Sequence, residues 1–198
     1  KRMNEQLQKE GAMALVTGAS SGIGLAYARE LARRGYDLLL VSNEQERIGT
    51  VAEELAAAFG VKTIPLCMDL ARSEAARELY DYCEREKLQI GILVNNAGIF
   101  FFDDLTEVTP ERIETMLLLH IRTVTLLCRY FGAAMKRRRA GYILNMSSLS
   151  AWTPAPGISV YAASKSYIRK FSQMLRYELH QYGVGVTTVC PGAIATGL

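Results

Sequence analysis

A doubly wound α/β fold, one parallel sheet with helices on both faces, is what this sequence predicts, and three observations predict it. Short apolar runs alternate with longer stretches of helical spacing. Runs such as Leu38-Leu39-Leu40-Val41 lack the in–out alternation of a half-exposed strand, as strands covered on both faces do. A glycine-rich turn follows the first run directly. The strands are expected at 12–17, 37–42, 62–67, 90–94, 142–146 and 185–189, each ending in turn residues. Helical patterns fill the gaps at 22–34, 45–59, 73–87, 110–139 and 159–182. Ligands of such sheets sit beyond the carboxyl ends of the strands, so chemistry is sought there.

Length and composition narrow the classes. A chain of 198 residues without repeats or linker-like stretches reads as one domain over 1–198. A net charge of +3 gives no case for nucleic acid. No apolar run approaches the ~20 residues of a membrane span, and no apolar stretch follows Lys1 and Arg2 as in a signal peptide. Cys67, Cys83, Cys128 and Cys190 lack metal-ligand spacing, and with two histidines no metal site is expected. Buried reduced thiols in a cytoplasmic protein are the expected reading. The basic run Lys136 to Arg139 is read as a solvated helix C-terminus, where cations complement the dipole.

The first turn reads Thr17-Gly18-Ala19-Ser20-Ser21-Gly22-Ile23-Gly24. Glycines there permit a tight turn and close approach of backbone N–H groups to an anion, and the helix that follows adds its positive end. No Gly-Lys-Ser/Thr follows, which excludes an ATP-type P-loop. Gly18 to Gly22 also fits the G-x-S-x-G elbow of α/β-hydrolases, with Ser20 as nucleophile. That reading needs a histidine, and His120 and His180 both lie in helical patterns rather than in strand-end loops.

Tyr161-Ala162-Ala163-Ser164-Lys165 sets a phenol and an ammonium one turn apart on a helix, and Ser148 stands thirteen residues earlier, just past a strand. A phenol near pKa 10 is a poor proton carrier at neutral pH unless a cation favours its phenolate. A neighbouring serine hydroxyl can hold a carbonyl oxygen while the proton passes.

With these motifs in order and spacing, TGASSGIG (Thr17 to Gly24), NNAG (Asn95 to Gly98), Ser148 with YAASK (Tyr161 to Lys165), and PGAIAT (Pro191 to Thr196), the chain resembles the short-chain dehydrogenase/reductase family over essentially its whole length. The resemblance implies a Rossmann-like sheet and hydride transfer between NAD(P)(H) and a carbonyl or secondary alcohol, with Tyr161 as acid or base. It implies cofactor contacts from Gly18, Ser20, Ser21, Gly22, Ile23 and Gly24, and from Asn43 after the second strand. It extends them to Asp69 and Leu70, with Asp69 on the adenine. Asn95, Ala97 and Gly98 flank the cofactor, Asn95 steadying the central strand. Pro191, Gly192, Ile194 and Thr196 complete the set. Tyr161 and Lys165 would bind ribose hydroxyls, and Ser148, rather than Ser147, carries the catalytic serine's place.

Two departures stand out. Where the family has an asparagine that holds a relay water, this chain has His120, read either as a fourth catalytic member or as a packed helix residue. Family members also normally continue past this point, so the resemblance implies a chain truncated at its C-terminus. A nucleotide-binding regulator that has lost turnover is the alternative these departures raise. With Asn43 and no acid at the end of the second strand, NADP(H) is expected over NAD(H). Phe100, Phe101, Phe102 and Trp152 are candidates for an apolar pocket, with at least one phenylalanine expected in packing. An apolar stripe of Leu117, Leu118, Ile121, Val124 and Leu127, beside Ile168, Phe171 and Leu175, suggests a homodimer or homotetramer.

Overall fold

The computed structural model describes residues 11–153 and 155–192. In chain order it runs β1 (Met13–Thr17), α1 (Gly22–Arg33), β2 (Leu38–Ser42), α2 (Gln45–Phe59), β3 (Thr63–Cys67), α3 (Ala75–Arg85) and β4 (Ile90–Asn95). There follow α4 (Pro110–Leu117), a π-helical segment (Leu118–Thr123), α5 (Val124–Arg138), β5 (Gly141–Met146), a 3-10 turn (Leu149–Ala151), α6 (Ser159–His180) and β6 (Val184–Val189). All pairings are parallel and the order is β3-β2-β1-β4-β5-β6, which places the reversal between β1 and β4. Every strand falls within one residue of its expected span.

Burial explains the apolar runs. Every residue of β1 and β2 is buried, because successive side chains enter different cores. Ala14, Val16, Leu38 and Leu40 pack with Ala28, Ala32, Ile48 and Leu55 of α1 and α2. Leu15, Leu39 and Leu93 pack on the other face with Leu79, Leu127, Phe131 and Met135. The outer strand β3 is only half-buried and carries Pro65, a residue that suits an edge.

The expected helix over 110–139 is broken by the π-helical segment. A π turn admits one extra residue per turn. Its inward residues are Leu119, His120 and Thr123, and the two polar ones find partners inside: Thr123 Oγ1 donates to the Leu70 carbonyl at 2.8 Å. A second polar cluster ties the sheet to α6. Asn95 Nδ2 donates to Asn145 Oδ1 (2.8 Å), and Asn145 Nδ2 donates to Ser172 Oγ (2.9 Å). Cys128 lies against both amides, with burial pushing its thiol up to about 12.

Three expectations change. Cys83 and Cys128 are buried, but Cys67 is exposed and Cys190 partly so, because Cys67 ends β3 and Cys190 follows β6, the two edge strands. Val124, Leu127 and Ile168 belong to the core rather than to a surface stripe, since α5 packs that side against β4 and β5. Arg138 is not simply solvated: it donates to the Ile90 carbonyl, while Lys136 lies 4.0 Å from the Tyr182 ring centroid. Among the described residues, no helix is long and apolar enough to cross a membrane.

Candidate active site

The β1–α1 turn is shaped by its glycines. Gly18 and Gly22 hold φ of +64° and +53°, which side chains resist. A Cβ on Gly24 would stand 2.0 Å from the Gly18 carbonyl oxygen, so only glycine lets helix and turn close. Ser21 is the N-cap of α1 and its side chain makes no capping bond. The first-turn N–H groups therefore face outward as donors without helical partners, a cradle suited to phosphate oxygens.

Thr17 latches this turn to the neighbouring strand. Its hydroxyl donates to the Val94 carbonyl (3.3 Å) and accepts from the Asn96 and Ala97 N–H groups, both at 3.0 Å. Asn96 Nδ2 returns bonds to the carbonyls of Thr17 and Gly18, each at 3.1 Å. Asn96 was not among the expected site residues. Its only signal was its place beside Asn95 in NNAG, where two adjacent amides at a strand end face opposite sides. Asn95 itself is buried and points to β5.

At the end of β2, Ser42 donates to Ser20 (3.0 Å) and accepts from the Glu44 N–H (3.1 Å). Asn43 is exposed, and the Glu44 carboxylate leans out to within 3.9 Å of Arg47. Asp69 is exposed, with Oδ1 taking the Ala71 N–H at 2.9 Å; Leu70 is buried beside it. Gly98 is exposed and Ala97 half-buried at the mouth of β4. Pro191 lies beside the 3-10 turn, accepting from the Leu149 N–H at 2.9 Å, next to exposed Gly192. Ile194 and Thr196 lie outside the described residues.

The second half of the site comes from β5 and α6. Ser147 is buried and donates to the Lys165 carbonyl at 2.7 Å, which leaves Ser148 as the open hydroxyl. Ser148 is half-buried and accepts from the N–H and the hydroxyl of Ser150 (3.2 and 2.9 Å). The Tyr161 ring stands edge-on to Phe100 (centroids 5.0 Å apart) and to His120 (5.8 Å), and Lys165 Nζ lies 5.5 Å from its centroid. Lys165 is buried, donates to the Met146 carbonyl at 3.1 Å, and is pulled down to about 8 because burial penalises its charge. An ammonium has three donors, so two remain for ligands.

His120 is fully engaged within the protein. Nε2 accepts from the Ile99 N–H (3.0 Å) and Nδ1 meets Ser164 Oγ at 2.9 Å. Neither nitrogen is open to the water a relay needs in this arrangement. The hydrolase reading fails on the same geometry: Ser20 bonds Ser42, His120 bonds Ser164, and His180 is exposed at the far end of α6. Phe101 packs with Val108 and Met116, as expected of one phenylalanine, while Phe100, Phe102 and Trp152 stay exposed. Trp152 lies under the Arg169 guanidinium at 3.8 Å. An open depression of about 460 Å³ lies elsewhere, on α4 and the π segment, lined by Glu114, Leu117, Leu118, Ile121 and Arg122.

A glycine cradle at the sheet's reversal, facing a tyrosine–lysine pair across β4 and β5, defines the class of dinucleotide-site folds. The family model described as short chain dehydrogenase matches residues 12–198, and the chain belongs to that family. It is 37% identical over 193 residues to very-long-chain 3-oxoacyl-CoA reductase of Anas platyrhynchos, covering 94% of this chain and 61% of that protein. It is 33% identical over 197 residues to inactive hydroxysteroid dehydrogenase-like protein 1 of Homo sapiens, covering 97% of this chain and 58% of that one. Among solved structures, the short-chain dehydrogenase from Sphingobium yanoikuyae in complex with NADPH superposes with a TM-score of 0.89 at 36% identity. That match covers 93% of this chain and 72% of the other.

Proposed function

We propose that the protein is an NADP(H)-dependent oxidoreductase that interconverts a small-molecule ketone and its secondary alcohol. The observation that carries the reading is the buried Lys165, one helical turn from Tyr161, whose ammonium makes a single protein hydrogen bond among the described residues. Tyr161 passes a proton to the substrate oxygen or takes one from it, and Ser148 holds that oxygen with its hydroxyl. Lys165 favours the phenolate by its charge and binds ribose hydroxyls with its remaining donors. The first-turn N–H groups bind the pyrophosphate. The nicotinamide, when bound, supplies or accepts the hydride. NADP(H) is favoured because Asn43 offers no acid to a ribose 2′-hydroxyl and Glu44 turns outward to Arg47. The NADPH held by the Sphingobium yanoikuyae relative supports the same choice. A homodimer or homotetramer through the α4 face fits the exposed Leu117 and the apolar depression around it.

A nucleotide-binding protein without turnover is the second reading, supported by the likeness to a relative named as inactive. One experiment separates the two. NADPH and NADH are titrated by fluorescence, and NADPH oxidation is followed against a panel of ketones, for the parent chain and Tyr161→Phe. Turnover in the parent that falls by at least ~10²-fold in the variant, with NADPH affinity nearly kept, supports the enzyme. Tighter binding of NADH would overturn the cofactor choice, and NADPH binding without turnover would overturn the activity.

A further inference from the structure

His120 is a buried titratable side chain, at the edge of the site, that the proposed reaction leaves without a task. Its ring is 1% exposed, and each of its nitrogens has one partner. Proton counting fixes the tautomer. The Ser164 hydroxyl spends its hydrogen on the Tyr161 carbonyl at 2.7 Å, so towards His120 it acts as acceptor and Nδ1 carries the proton. The Ile99 N–H donates to Nε2, which must then be bare. The ring thus links the backbone just past β4 to the turn of α6 between Tyr161 and Lys165.

The surroundings are cut to this ring. A Cβ at Gly98 would stand 3.0 Å from His120 Nε2 and 3.7 Å from Lys165 Nζ, so glycine there lets imidazole and ammonium share the space. The π-helical segment turns His120 inward together with Thr123, which is fixed separately to Leu70. Burial, and then the Lys165 charge beside it, push the imidazole down to about 3, in keeping with a ring that stays neutral.

We propose that His120 is a positioning residue, a neutral strut that bonds Ile99 to Ser164 and so holds the Tyr161–Lys165 turn at a fixed distance from the cofactor side of β4. It acts through Ser164 and Ile99 and touches neither substrate nor cofactor. The inference rests on the oxidoreductase reading for its effect on rate, though not for the strut itself.

The test compares the full chain with His120→Gln, whose carboxamide oxygen reaches the Ile99 N–H as Nε2 does, and His120→Leu, which makes neither bond. NADPH affinity, kcat, KM and the pH profile are measured for all three. Nitrogen-15 spectra of the parent, which has only two histidines, give the tautomer. His120→Leu should lose kcat by ~10²-fold, the size expected when reacting groups are misplaced by about an ångström. It should also weaken NADPH, while His120→Gln recovers about tenfold of the rate with the parent's pH profile. The parent ring should show a proton on Nδ1 and no titration between about pH 5 and about 8. A leucine variant that turns over and binds NADPH like the parent overturns the strut, as does a glutamine variant no better than leucine, or a ring that titrates in that range. Should the leucine variant not fold, a glutamine variant near the parent's kcat together with the Nδ1 proton supports the strut, and the loss of either overturns it. If the parent itself shows no turnover, the oxidoreductase reading fails. The order of NADPH affinities, parent then glutamine then leucine, still decides for or against the strut.

Discussion

Removing the lysine charge should make the ligand-free chain more stable while ending turnover. Lys165 is 6% exposed, and burial lowers its ammonium from the ordinary 10.5 to about 8. At ~1.4 kcal/mol for each tenfold change in proton affinity, burying the charge costs about 3 kcal/mol at neutral pH. Below about pH 8 the lysine is charged in both folded and unfolded chains, so the whole cost is present. Between about 8 and 10.5 the folded chain has shed the proton that the unfolded chain still holds, and stability rises with pH across that window. Lys165→Met removes the charge and its pH dependence but leaves the Met146 carbonyl without its 3.1 Å donor, a loss of about 1–2 kcal/mol. The net gain is about 1–2 kcal/mol near neutrality, or about 3–6 °C in Tm for a chain of this size. Thermal unfolding of ligand-free parent and variant at a series of pH values measures it. The advantage should shrink above about pH 8, vanish near about 9 and reverse by about 10. A variant less stable than its parent at neutral pH, or a difference flat across the window, would refute the reasoning.

Two further outcomes follow from packing. Gly24→Ala drives a Cβ against the Gly18 carbonyl, so the turn must shift; a loss of about 1–3 kcal/mol in stability and at least ~10-fold in NADPH affinity is expected. Calorimetric titration and thermal unfolding check it, and an alanine variant that binds like the parent would contradict the cradle. Leu117→Glu sets a charge at the rim of the α4 depression, beside Leu118 and Ile121. Light scattering should show a multimeric parent and a monomeric variant, and a parent monomeric at micromolar concentration would remove the proposed interface.

The sheet was legible because burial on both faces leaves a local trace: four consecutive apolar residues such as those of β1 and β2 suit few other environments. The glycines of the first turn were legible for a similar reason, since each answers a backbone demand at its own position. The π turn was not. Leu118 to Thr123 suits an α-helix equally well, and the winding depends on partners at Leu70, Ile99 and Ser164 that lie far along the chain. The role of His120 was hidden likewise, because its type allowed a relay or a strut and only the placement of Ile99 and Ser164 distinguishes them. The choice between Ser147 and Ser148 rested on family spacing alone; the bond from Ser147 to the Lys165 carbonyl supplies a physical reason. The apolar stripe was over-read because helical period alone cannot say which side of α5 faces the sheet.

The Thr17 latch has a consequence for how the chain folds. It joins residues 77 to 80 positions apart, between the first strand and the fourth. The strands on one side of it pair with near neighbours in sequence, whereas this seam closes a loop of about two fifths of the chain and pays its entropy at one step. The nucleotide cradle lies on one side of the seam and the tyrosine–lysine helix packs on the other, so neither half carries a complete binding surface until the seam shuts. A dinucleotide bound across it would by mass action hold shut the contact that is entropically dearest to make. Ligand would then slow the opening of the whole domain rather than of one loop, and hydrogen exchange at the β1–β4 pairing would report its presence even far from the nicotinamide.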